Sequence, residues 1–296
     1  MSKITATGYK RRHGDRADGR YLRGLDPYHK MMAYIMPTRN DAQNLFTDTI
    51  QTDKVDAYLR KKRLEDGINT ASFLHFVTAA YVRTCSQFPE INRFIAGQRV
   101  YARYYPELVM SIKLKMEATA PETSIKVPFD VKDTFEQVVE KMQKQVDAAR
   151  SGATATDNIA DTLMKLPRLL LKFTVWLLRT LDYFGKIPRV VLEASPFHGS
   201  VIITDLGSMG IPPIHHHIYN FGTLPIFVGL GAKRKTYELQ EDGSIVKKKM
   251  FDLLVVSDER ITDGFYFAHA FKYLKYLFKN PELLDAPPEK VVEDVK

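Results

Sequence analysis

Hydrophobic positions along the chain change period several times, and each change marks an element. Asn44 to Gln51 alternates, with Leu45, Thr47 and Thr49 opposite Phe46, Asp48 and Ile50, and predicts a strand. Asp53 suits a helix N-cap, and Val55 to Arg63 reads as a charged helix ending before Gly67. From Ser72 to Gln87 the apolar residues Phe73, Phe76, Val77, Ala80 and Val82 recur at helical spacing until Pro89 stops them. Arg99 to Tyr105 and Leu108 to Met116 are strand-like, and Thr134 to Arg150 places Phe135, Val138, Val139, Met142 and Val146 on one helix face. In the last third, Ser200 to Asp205, Leu224 to Leu230 and Phe251 to Ser257 read as strands, and Glu238 to Lys248 as a hairpin turning at Asp242-Gly243. A helix from Gly264 to Lys279 ends at Asn280-Pro281, and the tail from Asp285 onward is expected to fray. Strands and helices mix without a strict βαβ alternation, which predicts a mixed α/β sandwich, not a doubly wound parallel sheet.

Leu163 to Phe184 has a different pattern. Lys165, Arg168, Lys172, Arg179, Asp182 and Lys186 fall within an arc of about 100°, while leucines, Phe173, Val175 and Trp176 occupy the rest. Pro167 suits a first turn. Such a helix packs on its own domain or a neighbouring subunit, lies on a membrane surface, or closes over a hydrophobic site as a lid.

Composition narrows the setting. With 296 residues, 45% hydrophobic and 26% charged, the chain is an ordinary globular protein of one large domain or two small ones. Its single cysteine, Cys85, sits in an apolar helical pattern, reads as a buried small hydrophobe, and points to a reducing, cytoplasmic compartment. No signal-peptide core opens the chain and no uncharged apolar run of membrane-spanning length occurs. The net charge of +8 is uneven: Lys10, Arg11, Arg12, Arg16, Arg20 and Arg23 make a basic N-terminal arm, read as solvated and partly extended or as an anion site. No aromatic-studded nucleic-acid module accompanies it, so nucleic-acid binding is not expected. His215, His216 and His217 are adjacent, and adjacent side chains do not converge on one ion, so no metal site is expected there.

Several words in order carry a family resemblance. They are Phe88-Pro89-Glu90-Ile91-Asn92, the segment Gly199 to Gly207 (GSVIITDLG), Pro225 to Gly231 (PIFVGLG), Ser257 to Gly264 (SDERITDG) and Pro281-Glu282-Leu283-Leu284. Together they resemble the catalytic domain of the dihydrolipoyl acyltransferases of 2-oxo acid dehydrogenase complexes, and of the related chloramphenicol acetyltransferases, over about four fifths of the chain. Lipoyl and peripheral-subunit-binding domains are not expected within these 296 residues. The resemblance implies a two-layer α/β sandwich with a mixed sheet over residues 41–285, after an arm (1–40), with a helical insertion at about 153–198 and a tail (286–296).

It also implies a chemistry: transfer of an acyl group from a coenzyme A thioester to a small thiol or hydroxyl acceptor, with no bound cofactor and acyl-coenzyme A as co-substrate. Family active sites form between subunits of a trimer, where one chain supplies a base and another a hydroxyl that steadies the tetrahedral oxyanion. Carried across, the hydroxyl is Thr204 and the supporting acid Asp263, with Gly264 opening the last helix. Outside that context Thr204 is a β-former and Asp263 a helix N-cap. The base is a histidine in the family and is Glu259 here. An imidazole titrates near pH 6.5 and a free carboxylate near 4.3, although desolvation can raise the latter by several units. Three readings follow: a retuned carboxylate base, another histidine (one of His215 to His217 near Thr204) in its place, or a fold that lost base catalysis. The last is a non-catalytic oligomeric core or binding protein, which the Leu163 to Phe184 helix would make membrane-associated.

Overall fold

The computed structural model of the protein describes residues 9–113, 117, 119, 122–152 and 154–296. Its strands are β1 (Gly19–Tyr21), β2 (Gln43–Gln51), β3 (Arg93–Ala96), β4 (Arg99–Arg103), β5 (Glu107–Lys113), β6 (Glu122–Pro128), β7 (Val201–Asp205), β8 (Ile226–Leu230), β9 (Arg234–Leu239) and β10 (Ile245–Asp258). Its α-helices are α1 (Pro27–Ile35), α2 (Asp53–Leu64), α3 (Phe73–Gln87), α4 (Phe135–Ser151), α5 (Ala155–Met164), α6 (Arg168–Tyr183), α7 (Arg189–Ala194) and α8 (Gly264–Lys279). The strand expected over Leu108 to Met116 is present as β5, and residues 114–116 lie outside the described residues.

The large sheet runs β2-β10-β8-β7-β5-β6, with β9 on the first half of β10. β5, β7 and β8 are parallel and the other pairs antiparallel, so the sheet is mixed. Alternation decides its faces. Val201 and Ile203 of β7, Ile226, Val228 and Leu230 of β8, and Leu253 and Val255 of β10 share one core with Phe76, Val77 and Ala80 of α3 and with Ala270, Leu277 and Phe278 of α8. Phe278 seals that layer, stacked on Phe251 at 5.7 Å and edge-on to Phe76 at 5.0 Å. Helices on one face of a mixed sheet make the two-layer sandwich. The expected hairpin and the strand Phe251 to Ser257 are one continuous strand, because β9 and β8 lie end to end along the same edge of β10.

Two terminal segments differ from the solvated arm and the frayed tail expected of them. β1 pairs with β4 and forms a small sheet, β1-β4-β3. Arg16 is 2% exposed and lies over the rings of Phe94 and Tyr101. The tail closes on the same region: Asp294 takes two hydrogen bonds from Arg93 (2.8 and 2.5 Å), and Arg20 donates to the carbonyls of Asp294 and Val295. A bidentate guanidinium–carboxylate pair with both partners buried fixes a chain segment that has little apolar content of its own.

The insertion also departs from a single helix over Leu163 to Phe184. Pro167 has no N–H to continue the ladder, so α5 stops at Met164 and α6 begins after the proline. Within α6 only Asp182 is buried.

Candidate functional site

The SDERITDG segment joins β10 to α8, and its charged residues divide the work. Asp258 is fully buried and takes Nε and Nη2 of Arg260, each at 2.7 Å, while Arg260 Nη1 donates to the Met36 carbonyl at 2.7 Å. Arg39 brings a second guanidinium to 3.8 Å from Asp258. This pairing draws the Arg260 side chain inward, away from Glu259. Glu259 is half-buried, its N–H donates to the Ala42 carbonyl at 2.9 Å, and its carboxylate has no ion-pair partner among the described residues. Asp263 is exposed and accepts from the Tyr266 N–H at 2.7 Å, capping α8. The cap leaves the second carboxylate oxygen available.

A cleft of about 310 Å³ opens at this junction, with Glu259, Asp263, Asn44, Ser257 and Thr262 on its polar side. Its apolar wall is Phe46, Phe267 and Phe271, with Phe46 edge-on to each of the other two at 5.2 Å. Behind the same three rings lies an apolar space of about 60 Å³ between α8 and the sheet. Phe46 was legible only as one member of an alternating strand; its place in the cleft wall depends on α8, more than 200 residues later.

Thr204 is elsewhere. It is half-buried near the end of β7, opposite Gly229, which is opposite Leu254 of β10. Two strand spacings and five residues along the sheet separate Thr204 from Glu259, roughly 15–20 Å within one chain. One copy therefore does not bring the expected base and hydroxyl together.

The histidine loop shares a sheet face with Thr204. Ile218, Phe227 and Val256 form a small cluster there, with Ile202 and Tyr219 against it, and the loop crosses Gly229 so closely that a side chain there would meet the Ile214 carbonyl at 2.9 Å. His216 stacks on Phe227 at 4.3 Å, and its Nε2 is buried without a partner among the described residues. Burial, with a smaller contribution from His217, lowers its pKa and holds it neutral. His215 is exposed, and His217 lies edge-on to Tyr219. His269 is exposed on α8 and bonds the Phe265 carbonyl through Nδ1 at 2.9 Å.

Cys85 is buried, and burial pushes its thiol up to about 12, so it is no nucleophile. Among the described residues no group of three or more His, Cys, Asp or Glu is disposed to hold a metal ion, and no helix is long and apolar enough to cross a membrane.

One cluster has no counterpart in the local sequence pattern. Arg16 bridges Asp18 (2.9 Å) and Asp182 (2.6 Å); Arg103 lies 3.5 Å from Asp18 and 3.6 Å from Glu107; Lys126 lies 3.5 Å from Glu107; and His198 lies 3.3 Å from Asp182. Burial alone would raise the Asp182 carboxyl, but the His198 and Arg16 contacts hold it well below the usual range. For His198, wholly buried, desolvation outweighs Asp182 and lowers the pKa. The network fastens the N-terminal segment and α6 to the sheet next to β5.

No protein-family profile and no characterised protein sequence matches the chain. Solved structures do. A probable dihydrolipoamide acetyltransferase from Listeria monocytogenes aligns at 14% identity with TM-score 0.56, covering 86% of this chain and 93% of that one. The dihydrolipoamide acetyltransferase of Azotobacter vinelandii, for which a serine, a histidine and an asparagine have been investigated in the catalytic mechanism, aligns at 12% identity and TM-score 0.55 over 94% and 96%. A chloramphenicol acetyltransferase aligns at 12% identity and TM-score 0.50 over 86% and 96%. The chain therefore has the two-layer fold of the dihydrolipoamide acetyltransferase and chloramphenicol acetyltransferase structures to which it is similar.

Proposed function

We propose that the protein transfers an acyl group from a coenzyme A thioester to a small thiol or hydroxyl acceptor, as a homotrimer in which a neighbouring copy completes each cleft. The observation that carries this reading is the state of Glu259. It lines a cleft with an aromatic wall, and the arginine beside it is committed to Asp258, leaving the carboxylate free of a cationic partner. In the reaction Glu259 takes the acceptor's proton and the acceptor oxygen or sulfur attacks the thioester carbonyl. The oxyanion accepts a hydrogen bond from the Thr204 hydroxyl of the next copy. Collapse expels the coenzyme A thiolate, which recovers the proton. The separation of Thr204 from Glu259 within one chain is why a second copy is required. Relatives of the same fold include the cubic core of a pyruvate dehydrogenase multienzyme complex, which supports an oligomer.

A second reading rests on the lining of the cleft, which includes no histidine. In that reading the fold persists as an oligomeric core or binding protein without turnover.

Free-thiol release from a panel of acyl-coenzyme A donors separates the two. Glu259→Gln should lose roughly 10²-fold or more, and Glu259→His should retain or exceed the parent's rate. Co-expressing Thr204→Val with Glu259→Gln should restore about a quarter of parental activity, because random trimers then contain some sites with both groups intact. Equal turnover by parent and Glu259→Gln removes Glu259 as the base and leaves His216, on the Thr204 face, to be tested by His216→Asn. No turnover and no coenzyme A binding by the parent would establish the second reading.

A further inference from the structure

We infer that α6 is a docking surface for an anionic lipid bilayer, lying parallel to the membrane with its outward apolar stripe among the headgroups. The argument starts from which of its faces the fold covers. Leu171, Thr174, Val175, Leu178 and Leu181 are half-buried and Asp182 is buried, so these positions form the side turned to the protein body. The Asp182 ion pairs hold that side in place, and at the end of the helix Tyr183, exposed on the outward side, donates its hydroxyl to Gln98 Oε1 at 2.9 Å.

The opposite side divides in two. At about 100° per residue, Trp176, Leu169, Phe173, Leu177 and Leu170 form a stripe spanning roughly 120° of arc, interrupted by the half-buried Thr180. Their exposures are 57%, 82%, 54%, 39% and 47%. Arg168, Lys172 and Arg179 follow along one edge beyond Tyr183, all exposed. The only acid on α6 is the buried Asp182.

Packing against its own domain, the simplest expectation for a helix this apolar, is therefore not what covers the stripe. Sixteen residues give a rod of about 24 Å, long enough to present the stripe along a surface. What distinguishes a lipid surface from a second copy of the chain is charge. A contact of α6 against α6 of a second copy would bring the three edge cations near their counterparts with no exposed acid on α6 to answer them. Anionic headgroups answer all three while the apolar stripe leaves water. The aromatic pair Phe173 and Trp176, 5.6 Å apart, lies within the stripe, where amphipathic rings favour the headgroup boundary.

Trp176 is the chain's single tryptophan, so its fluorescence reports on this helix alone. The full-length protein is titrated with vesicles of phosphatidylcholine alone and of phosphatidylcholine with one third phosphatidylglycerol. The expected result is a blue shift and protection from acrylamide only with the anionic vesicles, reversed by high salt. Each of Arg168→Gln, Lys172→Gln and Arg179→Gln should weaken binding about fivefold, the effect of one interfacial charge. Leu169→Glu with Phe173→Glu should abolish it. Because those two side chains are exposed, circular dichroism should be unchanged. Two results overturn the proposal. One is a Trp176 spectrum unaffected by anionic vesicles. The other is emission already blue-shifted without lipid that moves red on dilution, which assigns the stripe to a contact between copies.

Discussion

Replacing Arg16 with alanine removes a guanidinium that is 2% exposed and pairs with two carboxylates, Asp18 at 2.9 Å and Asp182 at 2.6 Å. Neither acid can follow the lost partner into water, since both are buried. Asp18 keeps only Arg103, at 3.5 Å, and Asp182 keeps only His198, at 3.3 Å. Breaking a buried pair by removing one member costs about 3–5 kcal/mol, and the desolvation of the orphaned charge accounts for most of it. The variant also carries a signature in pH. In the parent, His198 is held neutral because burial outweighs the pull of Asp182. With Arg16 gone, His198 is the one ion-pair partner left to Asp182 among the described residues, and the balance at His198 moves toward the protonated form. The deficit relative to the parent should therefore be largest near pH 8 and should shrink toward pH 5.5. Urea unfolding followed by circular dichroism at both pH values measures it. A second variant, Arg16→Met with Asp182→Asn, removes one of the orphaned charges and should recover part of the loss. A deficit below about 1 kcal/mol at pH 8 would refute the argument, because the network would then behave as surface pairs do.

Two further outcomes follow from the same structure. In the parent, His198 and His75 both titrate below the free imidazole, His75 at about 4, each through burial, so the unfolded chain binds more protons over that interval. Stability is then fully present above about pH 6.5 and is lost as pH falls below it, for His75 down to about 4, at up to roughly 1.4 kcal/mol per pH unit for each histidine while it titrates; a flat profile of urea midpoints below pH 6.5 would contradict it. Asp263→Ala should cost about 0.5–2 kcal/mol by uncapping α8, whereas Asp263→Asn keeps the cap; if the asparagine variant retains stability but loses thiol-release activity, the carboxylate acts in the cleft beyond its capping role.

What the sequence made legible was whatever repeats over short distances. The apolar period of α3, α4 and α8 and the β-branched runs of β7 and β8 fixed those elements to within a few residues, because one buried face writes itself at regular spacing. β6 went unread, although Thr123, Ile125 and Val127 alternate and are buried along it, because the run is short. Helix α1 went unread: Asp26 and Pro27 supply its cap and first turn, but it buries only Ala33, so no apolar period marks it. Glu259 and Asp263 could be placed together because a strand end and a helix start are local events. Their distance from Thr204 could not, since it depends on the register across β7, β8 and β10. The arm and tail were misread for a related reason: Arg93 and Asp294 are 201 positions apart, and Arg16 and Asp182 are 166 apart. No window of local hydropathy registers a pair of that kind.

The strand order sets the timetable of biosynthesis. β2 is the first strand of the large sheet to leave the ribosome, and it pairs with β10 alone, one of the last. Until about residue 258 has emerged, β2 presents an unpaired edge and the apolar face of α3 lacks α8. At 5–20 residues per second that interval is roughly ten to forty seconds. During it Arg93 also awaits Asp294, and Arg20 awaits the carbonyls that follow. In the nascent chain only the small sheet β1-β4-β3 is complete early, and it leaves β2 and the apolar face of α3 uncovered. A trigger-factor-like holdase acting at the tunnel exit would have its longest engagement with the stretch from β2 through α3, and synonymous codons that slow translation beyond it would prolong the exposure.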